Sequence, residues 1–402
     1  MTATLIRTDI VENIESLLKK ILIILDIEGP QVLNDNAQEL MVFLAKMFRD
    51  WDKILPHIVI TALDEKEEEM AVGEIIGARF FRAISNIDDI WGDFHRIPKD
   101  PTYSSGHTLK VILAFLKALN ANYQSMYKFS RESLRLIPNA KSVIPRLDEK
   151  YIVWMVSTSY EFFIRAYCDF IGFPFKKVYC TKVDRDKFDS IVIAQDEKIE
   201  LLEFMKEVAV IPVIKYDKKT GEVIPKHQKY YDRITSFIWN YVYNISAGEL
   251  LRIVHPVGQT QKREAAEKIL SDTTISLSKT MGIGDSQTDY QIAQLLRGRG
   301  LMMVFNGKGK VCSQSDIMYI GDNAEVIEEV ADLFAEGGRE AVLKKYTLPE
   351  PIRDEKGLLK GLGYAAKSGG LLVVPTEENI ETLEKMSVQK RKEFRGVVGG
   401  LT

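Results

Sequence analysis

The sequence predicts an α/β protein with a mostly parallel sheet, interrupted early by a long helical insertion. Residues 21–29 (ILIILDIEG) are the first reason: an unbroken apolar run, rich in branched side chains, that ends on Asp26 and Glu28 before the Gly29-Pro30 break. The second is the alternation of short apolar strands and amphipathic helices over residues 147–335, the pattern of a sheet with helices on its faces. The third lies between them, residues 36–145, where helical spacing prevails and strand-like runs are scarce.

A strand as apolar as 21–25 is covered on both faces, and in open α/β sheets reactive groups collect just past the carboxyl ends of the strands. Asp26 stands at that place. An Asp before Gly and Pro also caps turns, so this position alone does not separate a site from a turn. The later elements do.

At 402 residues the chain is long for one average domain, and 46% hydrophobic with 28% charged residues is ordinary globular composition. Fifty-four basic against 57 acidic residues give a formal charge of -3, which argues against a nucleic-acid footprint and for a small partner. Cys168, Cys180 and Cys312 form no CxxC pair, so neither a disulfide framework nor a zinc ribbon is indicated and a reduced, intracellular setting is expected. No apolar run approaches the length of a membrane span, and Asp9, Glu12 and Glu15 do not suit a signal peptide. A cytoplasmic protein without a membrane span is the expectation.

Along the chain, Asp9 and Glu12 give a capping-box start to a short helix over 9–19. Leu40, Phe43, Leu44 and Met47 mark a helix over 36–48; helices over 71–84 and 108–119 follow, the latter apolar nearly all round and so buried. Between those two, residues 91–107 (WGDFHRIPKDPTYSSGH) lose periodicity at Pro98, Pro101 and Gly106, reading as a loop that either faces a ligand or joins two helices. Residues 151–156 (YIVWMV) form a second buried strand that ends in Ser157-Thr158-Ser159 and leads into a helix carrying Phe162, Phe163, Tyr167 and Phe170. Such a turn binds an anion at the helix N-terminus, or Ser159 is only the N-cap.

A short strand is expected over 177–182, and 190–250 is an elaboration whose aromatic stripe, Tyr230 to Tyr243, suits a core better than a ligand cage. Another strand is expected over 252–257. Lys262 then falls in the first turn of a helix, where the dipole disfavours it unless an anion is near. Residues 279–289 (KTMGIGDSQTD) pair Asp285 with Asp289 after a short strand, a second strand-end loop with two acids, and such paired acids need a cation. Strands over 301–305 and 317–320 and a helix over 324–335 complete the alternation, while 383–402, charged and then glycine-rich, read as a mobile tail.

Asp26 with Glu28, Ser157, Lys262, and Asp285 with Asp289 arrive in the order and at the strand ends of the four motifs of the haloacid dehalogenase-like (HAD) superfamily. The chain resembles a HAD phosphohydrolase over about 20–34 and 147–335, most specifically in LDIEG and GDSQTD. The resemblance implies a Rossmann-like core over 1–34 and 146–345 (including the 190–250 elaboration), an inserted helical cap over 35–145, and an extension over 346–402. It also implies Mg²⁺ held by Asp26, Asp285, Asp289 and the Glu28 carbonyl, with a small phosphorylated metabolite as substrate. In the roles carried over, Asp26 attacks phosphorus, Ser157 donates to a phosphoryl oxygen, Lys262 neutralises the charge and Glu28 is the acid/base. Thr158 is a candidate for the substrate side, as are His107, Arg96 and Tyr103 from the cap region, residues whose commoner role is ordinary packing or surface.

The departure is Glu28, where the family's phosphatases usually carry Asp; Pro30 is also unusual. The DxEGP form, with GHTLKVILAFLKAL over 106–119, is similar to an archaeal HAD group named energy-converting hydrogenase A subunit R. Two other readings therefore stand beside the phosphatase: a weakly active or non-catalytic accessory subunit, hydrogenase-associated and with an unknown protein partner, and a phosphomutase-type phosphotransferase.

Overall fold

The computed structural model describes residues 21–51, 67–94, 97–348, 352–353 and 359–399; the helix expected over 9–19 and the candidate Arg96 lie outside them. Strand β1 (Leu22–Leu25) is buried at every position. Its alternate residues enter two different apolar clusters, Ile23 and Leu25 on one face, Leu22 and Ile24 on the other. This is the period-two geometry of a strand covered on both sides, and it accounts for the absence of polar residues before Asp26.

Parallel partners flank β1: β2 (Ile152–Tyr160) on one side and β4 (Thr280–Gly284) on the other. The sheet continues outward to β3 (Val178–Thr181) past β2, and to β5 (Leu301–Phe305) and β6 (Ile317–Ile320) past β4. The order 3-2-1-4-5-6 reverses direction between β1 and β4, the switch point beside which such sheets bind ligands. Beyond β6 the sheet gains two antiparallel strands, while β7 (Ile352–Arg353) and β8 (Leu359–Lys360) form a separate ribbon; the added strands are β9 (Tyr364–Ala365) and β10 (Leu371–Val373). The mostly parallel α/β sheet is thus present, and the weakly patterned C-terminal residues extend it.

Between β1 and β2 run α1 (Asn36–Met47), α2 (Val72–Asp93), α3 (Thr108–Ala118), α4 (Tyr123–Glu132) and α5 (Ala140–Lys150). Helix α6 (Glu161–Ile171) follows β2, and β3 is followed by α7 (Arg185–Ser190), α8 (Gln195–Ala209), α9 (Pro225–Ser236) and α10 (Gly248–Ile253). Helix α8 packs on α2 and α3, and α10 on α3, so the elaboration sits with the inserted helices. Aromatic burial drives this: Phe204 stacks on Phe237 at 3.7 Å, Trp91 of α2 meets Trp239 edge-on at 5.6 Å, and the Trp91 indole N–H donates to Thr235.

The strand expected over 252–257 is absent. Helix α10 runs to Ile253, and the segment after it gives its N–H groups elsewhere, Val257 to the Thr181 hydroxyl and Gln259 to the Ser105 carbonyl. Helices α11 (Gln259–Thr273) and α12 (Tyr290–Leu296) cover one sheet face, and α13 (Glu325–Tyr346), kinked at Gly338, lies against α5. Where a mobile tail was expected, α14 (Ile380–Gly399) packs on β6 and α1. Its Leu383 is fully buried, and its Ser387 hydroxyl donates to the Gly307 carbonyl at 2.8 Å.

His107 and Tyr103 are part of this packing. Tyr103 gives its hydroxyl to Asp88 at 2.6 Å, and His107 lies edge-on to Tyr103 with Nε2 3.1 Å from the Gln261 amide oxygen. Burial, helped by the nearby Lys110 ammonium, pulls the His107 pKa down from 6.5 to about 4. Between those values the unfolded chain takes up a proton that the native imidazole refuses, so stability falls as pH falls through that window. For such a shift the linkage at pH 5 is about 2 kcal/mol. In urea titrations, His107→Gln should lose less unfolding free energy between pH 7 and pH 5 than the parent, by roughly that 2 kcal/mol; identical pH slopes would show that His107 is not held neutral.

Candidate active site

Each residue at the centre is placed by a strand end or a helix start. Asp26 follows β1 directly, and its N–H donates to the Ile283 carbonyl of β4 at 2.9 Å, continuing the sheet ladder by one residue. One carboxylate oxygen accepts the Ile27 N–H at 2.7 Å; the other accepts from the Lys262 ammonium at 2.6 Å. Lys262, in the first turn of α11 and fully buried, also donates to Asp289 at 2.8 Å. Two carboxylates thereby offset the dipole penalty that this position imposes on a cation.

Asp289 has a second task. Its other oxygen accepts the backbone N–H groups of Asp285 and Ser286 at 3.0 and 3.2 Å, so the same side chain shapes the loop after β4 and orients the lysine. Asp26, Asp285 and Asp289, all buried, each offer an oxygen within 4.8 Å of the others. Burial foremost, with Asp289 and Asp285 adding and Lys262 opposing, raises the Asp26 pKa to about 7. Asp26 and Asp289 in turn hold the lysine's pKa well above its ordinary value despite burial. Anionic oxygens crowded out of water in this way are a donor set of the hard-oxygen type that Mg²⁺ takes, so the residues present fit that ion.

Gly29 is required by the close approach of two loops. It has φ of +102°, and a Cβ there would lie 2.1 Å from an Asp285 carboxylate oxygen. Glu28, which also borders the cavity, accepts the Asn36 N–H on its Oε1 at 2.9 Å, at the N-terminus of α1. The stem one methylene longer than Asp therefore reaches the first turn of that helix, where a carboxylate is favoured by the dipole.

Above the acids is a cavity of about 200 Å³, lined by Asp26, Glu28, Ser157, Thr158 and Asp285 together with residues of α2 and of the 105–109 segment. Ser157 to Ser159 belong to the last part of β2, where pairing with β3 shifts register. The Ser157 hydroxyl accepts the Ser159 N–H at 3.3 Å, and α6 is capped at Tyr160, so Ser159 is not its N-cap. Thr158 and Ser159 border the cavity, and their hydroxyl oxygens are buried without a hydrogen-bond partner. Asp26, Lys262, Asp285 and Asp289 are brought into direct contact or near it, and Glu28, Ser157 and Thr158 face the same space. His107 does not line it.

Sequence reasoning passed over four contributors. Asp88 and Asp89 of α2 line the cavity, and burial raises them to about 7 and about 6; two adjacent acids inside IDDIW were a legible signal, since solvated acids are seldom flanked so. Lys308, after β5, also lines it and gives its N–H to the Asp285 carbonyl at 3.0 Å. Arg391 of α14 donates to the Asp285 carboxylate, and nothing in the charged run around it pointed to a site.

No family model and no curated protein matches this chain. Among solved structures it is similar to gene product AF1437 from Archaeoglobus fulgidus, with 22% identity over 94% of this chain and 98% of that one and a TM-score of 0.64. Structures of a phosphoserine phosphatase in apo form and of a phospho-aspartyl intermediate analogue of phosphoserine phosphatase align at 13% identity over 77% of this chain and 98% of theirs, with TM-scores of 0.39 and 0.42. The strand order, the helices inserted after β1 and the likeness at 0.64 place the fold: an α/β, Rossmann-like core with a mostly parallel sheet and helices inserted after its first described strand.

Proposed function

We propose that this protein is a Mg²⁺-dependent phosphatase that hydrolyses a small phosphorylated metabolite through an aspartyl-phosphate on Asp26. One observation carries the reading: three buried carboxylates have oxygens within 4.8 Å of one another, two of them are bonded to one buried lysine, and two of the three, Asp26 and Asp285, line a cavity that Ser157 and Thr158 also border. Phosphoryl transfer asks for little else beyond positioning and charge neutralisation. The cavity, about 200 Å³, suits a small molecule.

Mg²⁺, when bound by Asp26, Asp285, Asp289 and the Glu28 carbonyl, would neutralise charge on the phosphoryl oxygens and keep Asp26 ionised. Asp26 attacks phosphorus and the ester oxygen leaves with its electron pair; water then attacks the aspartyl-phosphate, freeing phosphate and restoring the carboxylate. Ser157 and Thr158 donate to the phosphoryl oxygens, and Lys262 orients Asp26 while countering its charge. Glu28 gives the departing oxygen its proton and takes one from the attacking water.

The bond from the Asn36 N–H to Glu28 supports a second reading, in which Glu28 serves chiefly as a helix cap and the chain is a weakly active, hydrogenase-associated accessory subunit. A phosphomutase-type transferase would share the first half-reaction and differ in the acceptor.

A panel of phosphorylated metabolites assayed with Mg²⁺ and with EDTA should show metal-dependent phosphate release from at least one member, and Asp26→Asn should abolish it. Calorimetry should show Mg²⁺ affinity lost in Asp285→Ala with the fold retained; unchanged affinity would put the metal elsewhere. Glu28→Gln keeps an acceptor for the Asn36 N–H, so it isolates proton transfer. It should slow alkyl phosphate hydrolysis by on the order of 10²- to 10⁴-fold and aryl phosphate hydrolysis much less. Equal rates in parent and Gln variant on an alkyl phosphate would remove the acid/base role and favour the accessory reading.

A further inference from the structure

The geometry points to Arg391 as a positioning residue: from the C-terminal helix it fixes the carboxylate of Asp285, so that divalent-cation affinity depends on α14 being docked. This rests on the reading of Asp26, Asp285 and Asp289 as a cation site.

Arg391 reaches the site as part of a built structure. Its Nη1 donates to Asp285 Oδ2 and lies 3.4 Å from the carbonyl oxygens of both Asp285 and Asn306. The side chains are 12% and 3% exposed. On the same helix, Ser387 donates to the Gly307 carbonyl at 2.8 Å, and Glu384 accepts the Gly309 N–H at 2.8 Å. Successive turns of α14 are therefore tied to the 306–309 loop, and that loop holds Asp285 in turn through the Lys308 N–H.

Asp285 is consequently confined from several sides. Oδ2 lies against Gly29, where a Cβ would come within 2.1 Å of it, and the same oxygen accepts from Arg391. The backbone N–H is taken by Asp289. A carboxylate held through one oxygen keeps a fixed plane and can present the other to a cation without first losing rotamer freedom. Groups that orient a metal ligand are commonly worth 10- to 100-fold in affinity, and Arg391 does so from the wall of the cavity itself.

A guanidinium beside an acid cluster could instead be a tethered competitor that the cation must displace. Two features favour positioning. Arg391 is anchored to two backbone carbonyls as well as the carboxylate, so leaving costs it three interactions. The three-acid cluster also needs only one oxygen from each residue. The two readings differ in sign: a competitor weakens metal binding, whereas a positioning group strengthens it.

The test is calorimetric Mg²⁺ and Mn²⁺ binding to the full chain for the parent, Arg391→Ala, Arg391→Lys and Asp285→Ala, with circular dichroism and thermal melting alongside. Arg391→Ala should bind about 10- to 100-fold more weakly at an unchanged helix content. Arg391→Lys, which keeps the charge on a shorter side chain without the planar guanidinium, should fall between it and the parent. Millimolar guanidinium should recover part of the affinity in the Ala variant and none in the parent. Should the Ala variant fail to fold, the Lys variant decides, because weakened binding with a native melt supports positioning. Affinity that is unchanged or higher in both variants while Asp285→Ala loses the metal overturns the role of Arg391 and leaves the cation site standing. A parent protein that binds neither ion overturns both.

Discussion

The interaction on which the rest depends is the ion cluster of Lys262 with Asp26 and Asp289, at 2.6 and 2.8 Å and without solvent contact at the lysine. Burying three ionised groups costs several kcal/mol each unless their mutual attraction and further hydrogen bonds offset it. Here further hydrogen bonds reach both acids, from the Ile27 N–H to Asp26 and from the Asp285 and Ser286 N–H groups to Asp289. The cluster thereby joins the end of β1, the loop after β4 and the first turn of α11, three segments far apart in sequence. Once it forms, the relative positions of the acidic groups are no longer adjustable.

The sheet explains why these segments meet. With β1 between β2 and β4, the residues leaving each strand emerge at one edge, beside the point where the winding reverses. The helices above that edge come from two parts of the chain, before β2 and after β3, and they share an aromatic core made by Trp91, Trp239, Phe204 and Phe237. Asp88 and Asp89 are carried on the same helix as Trp91, so the packing that binds the two parts together also points acids at the cavity.

Much of the centre was legible because its signals are local. A buried strand has no polar residue to spare, so Asp26 at the end of ILIIL stood out, and GDSQTD carried both acids of its loop within one turn. Lys262 was legible through a contradiction, a cation at a helix start. What escaped depends on distant partners. Residues 252–257 have strand-like composition, but their N–H groups are claimed by a side chain and a loop. Residues 371–373 pair antiparallel with β6 only because that edge is open. Arg391 sits in a run of charges that looks solvated, and only the docking of α14 through Leu383 and Ser387 turns it inward.

The spacing of the partners has a consequence for how the protein comes into being. Lys262 follows Asp26 by 236 positions, and Arg391 follows Asp285 by a further 106. On a ribosome that emits about 5–20 residues per second, β1 is exposed well before Lys262 has been synthesised. During that interval an apolar edge that ends in an acid has only the inserted helices for cover. The contact from Arg391 to the acidic loop comes from a helix that follows every described strand in the chain, so it cannot form until all of the sheet's described strands have been synthesised.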